Sequence, residues 1–287
     1  MQEAASVYPP LVFLTEVEST IRLIFTISLF LCFAMLEAVS PRRQVTKPRI
    51  KRWFSNISLS LFNSLFVRFL VPLSLIHWAM VLQTQGWGLL NTSEPSKLPT
   101  TVQVLLCVLL LELVIYWQHR LFHRIPLLWR LHRLHHSDIE VDVTTALRFH
   151  PFEILLSNII KLIFITLLGA PALAVLIFEV ILNGCALFNH SNFKIPKPID
   201  KALRSVLVTP DMHRIHHSIR KPETDSNFGF NLSLWDRVFR SYTEEPQQNH
   251  KTMTLGLEEF RDAKSQKLHR LLIQPFCSSK HSDSLEN

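Results

Sequence analysis

Long apolar runs alternate with short polar intervals along this chain. The first run spans about Ser19 to Val39, with Arg22 and Glu37 near its edges, and the second runs from Ile57 to Leu82, broken by Arg68 and Pro72. A third covers Thr101 to Trp117 and carries a single acid, Glu112. The last two, Glu153 to Leu168 and Ala172 to Phe188, are separated only by Gly169-Ala170-Pro171. Each run is near the ~20 residues that a helix needs to cross a bilayer, the last pair at the short end. The pattern predicts an all-α chain: a multi-pass membrane bundle of four to five helices, the last two forming a helical hairpin or the halves of a re-entrant element. A secretory signal peptide is a poor reading of the amino terminus, because no basic region precedes the first run and no small-residue cleavage site follows it.

The polar intervals orient the bundle. Arg42, Arg43, Lys47, Arg49, Lys51 and Arg52 lie between the first two runs with no acid among them, whereas residues 1–18 hold Glu3, Glu16 and Glu18 and no base. Loop 83–99 carries only Lys97 and Glu94. The positive-inside rule places loop 41–56 in the cytoplasm and the amino terminus outside. Counting crossings forward, every histidine cluster and the carboxyl terminus fall on the cytoplasmic side. Residues 1–245 read as the membrane-embedded domain, and 246–287 as a polar cytoplasmic tail, a surface helix with a frayed end.

Composition agrees. Of 287 residues 48% are hydrophobic and 18% charged, the latter below the roughly 25% of soluble domains. Six glycines speak against phosphate-cradling glycine-rich loops, and four cysteines without close pairing read as packing residues rather than a disulfide framework. Lys+Arg exceed Asp+Glu by 30 to 23. A soluble all-α domain using loop 41–56 as a nucleic-acid patch is the alternative. Basic residues without interleaved aromatics or a recognisable module argue against it, and no nucleic acid is expected as a partner.

Histidine changes the picture. His119 and His123 stand four apart at the end of the third run; His132, His135 and His136 follow with spacing i, i+3, i+4, which His213, His216 and His217 repeat; His150 and His190 stand between. Residues at these spacings share a helix face. So many imidazoles near a low-dielectric boundary need partners, and a metal accepts their lone pairs while the other ring nitrogens donate elsewhere. One zinc takes three or four ligands, so eight to ten imidazoles suit two ions. Imidazole alone does not choose among iron, zinc, copper and nickel. The zinc-protease HExxH and the GxSxG elbow are both missing. A dinuclear iron centre that activates dioxygen beside an apolar substrate reservoir fits best.

From about Glu112 to Tyr242 the chain resembles the fatty acid hydroxylase/sterol desaturase superfamily of membrane di-iron enzymes, closest to its single-domain, sterol-desaturase-like members. The resemblance rests on Tyr116-Trp117-x-His119-Arg120-x-x-His123, His132-x-x-His135-His136-Ser137, Thr145-Ala146-Leu147-Arg148-Phe149-His150-Pro151, Asn189-His190-Ser191-Asn192, His213-x-x-His216-His217, and Asn227-Phe228-Gly229 followed by Trp235-Asp236-Arg237-Val238-Phe239. It implies that His119, His123, His132, His135, His136, His190, His213, His216 and His217 ligate two irons. His150 is a tenth candidate, with packing at the start of the fourth run as its alternative. Glu112 stands where the family often has aspartate, and shares a helix face with Tyr116, His119 and His123. Asp138, Asp142, Asp211 and Asp236 are candidates to orient imidazoles, Asp211 equally to cap a helix. The stretch from Asn227 to Arg237 reads as a turn and short helix with a packing role.

The expected activity is oxidation of an unactivated lipid C–H bond with dioxygen and two electrons. A hydroxylated lipid is the expected product; desaturation, ether-lipid monooxygenation and, from another class, a non-catalytic metal-binding scaffold are the alternatives. Without a CxxCH or a ferredoxin-like cysteine run, the electron donor is expected to be a separate protein, of cytochrome or ferredoxin type with its reductase.

Overall fold

The computed structural model describes residues 9–46, 49–91 and 98–278, with side chains from residue 20 onward. Glu3, Lys47, Glu94 and Lys97, which entered the charge reading, lie outside the described residues, as do the side chains of Glu16 and Glu18 and the end of the tail from 279. Helices run in the order α1 (Pro9–Val39), α2 (Arg49–Leu70), α3 (Leu75–Gln85), α4 (Thr100–Arg124), α5 (Pro126–His136), α6 (Pro151–Leu168), α7 (Ala172–His190), α8 (Lys197–Leu203), α9 (Pro210–His216), α10 (Lys221–Thr224), α11 (Leu234–Val238) and α12 (Leu268–Ile273). No strand forms among the described residues, only three isolated bridges. Among the described residues five stretches are long and apolar enough to cross a membrane: Thr20–Val39, Arg49–Gln85, Thr100–Arg124, Pro151–Leu168 and Ala172–His190. The chain is a multi-pass helical membrane bundle.

The second of these stretches is two helices. Pro72 has no N–H to donate and disfavours helix at Val71, so α2 stops at Leu70. The side chain of Ser74 restarts the chain as α3 by accepting the His77 N–H at 3.1 Å. Between α6 and α7 the tight connection gives the expected hairpin. Gly169 ends α6 with φ of 63°, its N–H reaching the carbonyls of Ile165 and Thr166, a conformation that costs a side-chain-bearing residue about 1–2 kcal/mol. A Cβ there would also meet Trp87 O at 2.7 Å. The hairpin tip is docked, since Leu89 and Leu90 N–H groups donate to Leu167 and Leu168 carbonyls at 2.9 Å.

Where α3, α4, α6 and α7 meet, the interior holds Ala79, Cys107, Ala170 and Ala174 beside Leu82, Leu111, Ile165 and Phe178. Small residues let helix backbones approach where lipid is as apolar as leucine and packing, not hydrophobicity, drives association. Outward faces are apolar too, with Leu23, Leu65, Leu105 and Leu167 exposed.

All the shorter helices except α3 gather at one end as a cap. Arg42, Arg43 and Arg52 of loop 41–56 are structural clamps on it. Arg52 is buried and bonds Asp138 at 2.9 Å and also Asp142; Arg42 grips Asp211 at 2.7 Å; Arg43 donates to Met253 O at 2.8 Å. The described part of the carboxyl-terminal region is no detached tail. Met253, Leu255 and Leu271 are buried, Gly256 N–H donates to His217 O at 3.1 Å, and Arg133 donates to Gln274 O at 2.6 Å. The boundary at 245 therefore separates no independent unit, because mixed-charge residues on the outside conceal three apolar anchors.

Candidate metal centre

Four chain segments deliver the histidines. α4 outlasts its apolar run and carries His119 and His123; a corner at Ile125-Pro126 opens α5 with His132, His135 and His136. α7 ends on His190. α9, started by Thr209 accepting the Met212 N–H and by Pro210 at its first position, presents His213 and His216 and is capped by His217.

These nine rings form two groups. His119, His123, His132, His136 and His216 make one, His135, His190, His213 and His217 the other, and the ligand atoms within each lie inside 4.8 Å of one another. Each HxxHH motif is divided between the groups. In α5 the outer pair, His132 and His136, joins the first and His135 the second; in α9 the outer pair, His213 and His217, joins the second and His216 the first. Residues four apart share a face, but i+3 and i+4 diverge by about 100° around the axis. One motif on each of two facing helices thereby serves both groups.

Hydrogen bonds on the far side of five of the rings fix their tautomers. Nδ1 of His119 donates to Phe228 O at 2.8 Å, of His132 to Glu153 Oε1 at 2.6 Å, of His135 to Arg148 O at 3.2 Å, of His190 to Ala186 O at 2.7 Å and of His216 to Ser226 O at 2.7 Å. Their Nε2 atoms carry lone pairs turned inward, and those of His119, His132 and His216 are buried without any hydrogen-bond partner. His190 Nε2 stands 3.0 Å from both His135 Nε2 and His213 Nε2. With Nδ1 protonated on His135 and His190, their facing nitrogens have no hydrogen between them and repel unless a cation accepts both. Protonation of a ring is no remedy, since burial holds His135, His136, His213 and His217 well below the usual imidazole pKa and brings His216 to about 3. Buried, neutral and convergent, the donors fit metal ions, with the outward hydrogen bonds orienting them.

Other sequence candidates sit farther out. His150 is not brought to either group: its Nε2–H donates to Leu272 O at 3.1 Å and its Nδ1 accepts the Phe152 N–H at 3.3 Å, capping α6. Both nitrogens are thus engaged, in the packing role. Nor does a candidate carboxylate orient an imidazole directly. Glu112 reaches the Leu232 N–H at 3.4 Å. Tyr116 pairs its hydroxyl with Ser241 Oγ at 2.8 Å. Asp138 and Asp142 take Arg52; burial raises the Asp138 pKa, but Arg52 and Arg148 outweigh it. Asp211 takes Arg42 and Arg214, which hold it well below the carboxylate range against burial. Asp236 acts one step removed, accepting hydrogen bonds from the N–H groups of Phe228 and Gly229 at 2.7 Å and so fixing the carbonyl that accepts the hydrogen bond of His119 Nδ1–H. The expected turn and short helix are there, but hold the His119 ring as well as pack.

Glu153 escaped the sequence reading. Acids in the first turn of a helix are commonplace for dipole reasons, which disguised its bond to His132. Carbonyls of Arg148, Ser226 and Phe228 leave no sequence signal at all. Aromatic rings seal the site: Phe149 stacks on His135 with centroids 4.4 Å apart, and Phe228 lies 5.2 Å from His123. Below it, a cavity of about 790 Å³ runs into the membrane bundle, bounded at the site by Phe149, Phe230 and Glu153.

Residues 104–241 match the model of the fatty acid hydroxylase family. The ornithine lipid hydroxylase OlsE of Rhizobium tropici is 28% identical over 218 residues, 75% of this chain and 64% of that protein. Cholesterol 25-hydroxylase of Homo sapiens is 25% identical over 175 residues, 60% of this chain and 61% of the relative. Alkylglycerol monooxygenase of Xenopus tropicalis is 28% identical over 164 residues, 55% of this chain and 34% of the relative. The chain thus spans less than two thirds of each of these three proteins. No solved structure matches it. All nine converging histidines fall within the matched stretch, which is a fatty acid hydroxylase domain by that match.

Proposed function

We propose that this chain is a membrane-bound di-iron oxygenase that hydroxylates an unactivated C–H bond of a lipid, consuming dioxygen, two external electrons and two protons, with one oxygen atom entering the lipid and the other leaving as water. The observation that carries the reading is the division of nine buried histidines into groups of five and four at the head of a cavity within the bundle. His119, His123, His132, His136 and His216 would hold one iron, and His135, His190, His213 and His217 the other. When bound, such a pair supplies dioxygen activation and removal of a hydrogen atom, chemistry no side chain here performs.

The chain's own residues do the rest. Glu153 and the carbonyls of Phe228, Arg148, Ala186 and Ser226 retain the Nδ1 protons, so each Nε2 stays a donor to metal. Phe149 and Phe228 keep water from the rings, and the cavity admits a lipid from the bilayer. By name the relatives act on ornithine lipid, cholesterol and alkylglycerol, which supports a lipid substrate here. The arginine-rich loop 41–56 clamps the histidine cap, so its positive charge supports a cytoplasmic metal site and carboxyl terminus and a non-cytoplasmic amino terminus. Electrons would come from a separate cytochrome- or ferredoxin-type donor with its reductase.

Iron quantification on the purified protein, joined to untargeted lipid profiling of cells with and without it, tests the reading. Two irons per chain and a lipid gaining one oxygen atom are expected. A lipid losing two hydrogens would make it a desaturase; stoichiometric iron without substrate-dependent oxygen uptake would make it a scaffold.

A further inference from the structure

Four carboxamides line the cavity, one from each of four membrane-spanning helices: Asn63 of α2, Gln118 of α4, Asn158 of α6 and Asn183 of α7. The outward sides of the same helices show Leu65, Leu109, Ile159 and Ile181. A polar side chain is costly at this depth unless it meets protein, water or a ligand, and joining helices is one use for it. Two of the four serve that use. Asn63 donates to Phe149 O at 2.7 Å and Gln118 to Ser157 Oγ at 3.1 Å, each tying two segments together. Asn158 and Asn183 tie nothing. The half-buried Asn158 donates only to Ile154 O of its own helix, at 2.9 Å, and the exposed Asn183 amide makes no hydrogen bond among the described residues.

We infer that Asn158 and Asn183 bind the hydroxyl- or amide-bearing head of a lipid inside the cavity, and that the lipid is oxidised close to that head rather than far along its hydrocarbon chain. A carboxamide offers two N–H donors and an oxygen acceptor, the complement of a hydroxyl or an amide, which also donate and accept. A hydrocarbon chain would give neither side chain a partner. Charged groups of both signs share the wall, with Lys161 joined to Glu179 at 2.8 Å and Glu153 to His132 at 2.6 Å. Such a mixture separates polar from apolar ligands without selecting anion over cation. Position along the helices sets the reach. Asn183 stands seven residues before His190 on α7, and Asn158 five after Glu153 on α6, about 8 to 11 Å at the rise of an α-helix. At about 1.5 Å each, roughly seven carbon–carbon bonds or fewer fit between the head and the carbon presented to the histidines. The position of that carbon rests on the oxygenase reading; the binding of the head does not.

Displacement of a fluorescent long-chain monoacylglycerol from the purified protein in nanodiscs, measured against empty nanodiscs, tests it. The competitors are the unlabelled monoacylglycerol, the primary fatty amide and the fatty methyl ester, all uncharged and of one chain length. The ester keeps a carbonyl but has no N–H or O–H to donate. One or both donor-bearing lipids should bind at least tenfold more tightly than the ester, about the worth of two hydrogen bonds; which of them does so tells hydroxyl from amide. Asn183→Leu, which breaks no hydrogen bond within the described protein, should cut that preference at least threefold and leave the ester unchanged. A wall that merely holds water would shift all three lipids alike or none. No displaceable probe, a preference below tenfold for both polar lipids, or a preference that survives Asn183→Leu overturns the site. A product oxidised near the far end of its chain overturns the placement of the reacting carbon. Donor-selective binding by protein that holds iron but takes up no oxygen would sink the oxygenase reading and leave the head site standing.

Discussion

The Nε2 atoms of His135 and His190 face one another at 3.0 Å while Nδ1 of each ring donates to a main-chain carbonyl. Two neutral rings in those tautomers have no hydrogen bond to share, so their closeness has meaning only around a cation. The same geometry says what each ring contributes, and removal of single rings tests it. His135→Ala takes a donor from one group and His216→Ala from the other. Each should lower bound iron and reduce lipid oxidation by more than about 100-fold, beyond the 10- to 100-fold typical of losing an orienting partner. Both variants should stay in the membrane fraction, because the apolar helices insert without the metal. Turnover at the wild-type rate in either would contradict the assignment.

Glu153 is expected to act through His132, whose Nδ1–H it accepts at 2.6 Å. Glu153→Ala should cost about 10- to 100-fold in iron affinity or activity, and Glu153→Gln, which keeps an oxygen acceptor at that place, clearly less. Iron titration of the two variants side by side decides the matter; identical losses would mean the carboxylate has no specific role toward the ring.

His150 makes the opposite prediction. With both ring nitrogens engaged by Leu272 O and the Phe152 N–H, His150→Ala should leave the iron content unchanged. Loss of the cap at α6 should lower stability by about 1 kcal/mol, readable as a shift in thermal unfolding in mild detergent. A drop of one iron per chain would restore His150 as a ligand.

Asp236 provides a pH dependence. Burial raises its pKa from 3.8 to about 6, although the Ser241 hydroxyl and the N–H groups of Gly229 and Phe228 pull it back in part. A carboxyl raised on folding binds its proton more tightly in the native state, so its favourable contribution is present below the unfolded pKa and is lost as pH rises through the folded one. At about 1.4 kcal/mol per pH unit this amounts to roughly 3 kcal/mol. Chemical denaturation at several pH values should show Asp236→Asn gaining on the wild type by that order between about pH 4 and about pH 7. A pH-independent difference would remove the carboxyl from the account.

Local sequence reached the elements and the ligand types because both are written in short-range patterns. Apolar length marked the five spans, Pro72 and Gly169 marked where helices stop, and the HxxxH and HxxHH spacings put imidazoles on shared helix faces. Lys161 and Glu179 went unread because two charges within apolar runs show no sign, in one dimension, that they face each other. The anchoring of Leu255 and Leu271 beneath the cap was hidden among charged neighbours for the same reason. What only the tertiary structure decided is partnership: that His135 turns away from His132 and His136 to join His190, that His216 crosses to the opposite group, and that His150 faces Leu272. Spacing along a helix fixes the angle between side chains, but the direction in which that helix is rotated and what stands opposite are set by packing with segments more than a hundred residues away.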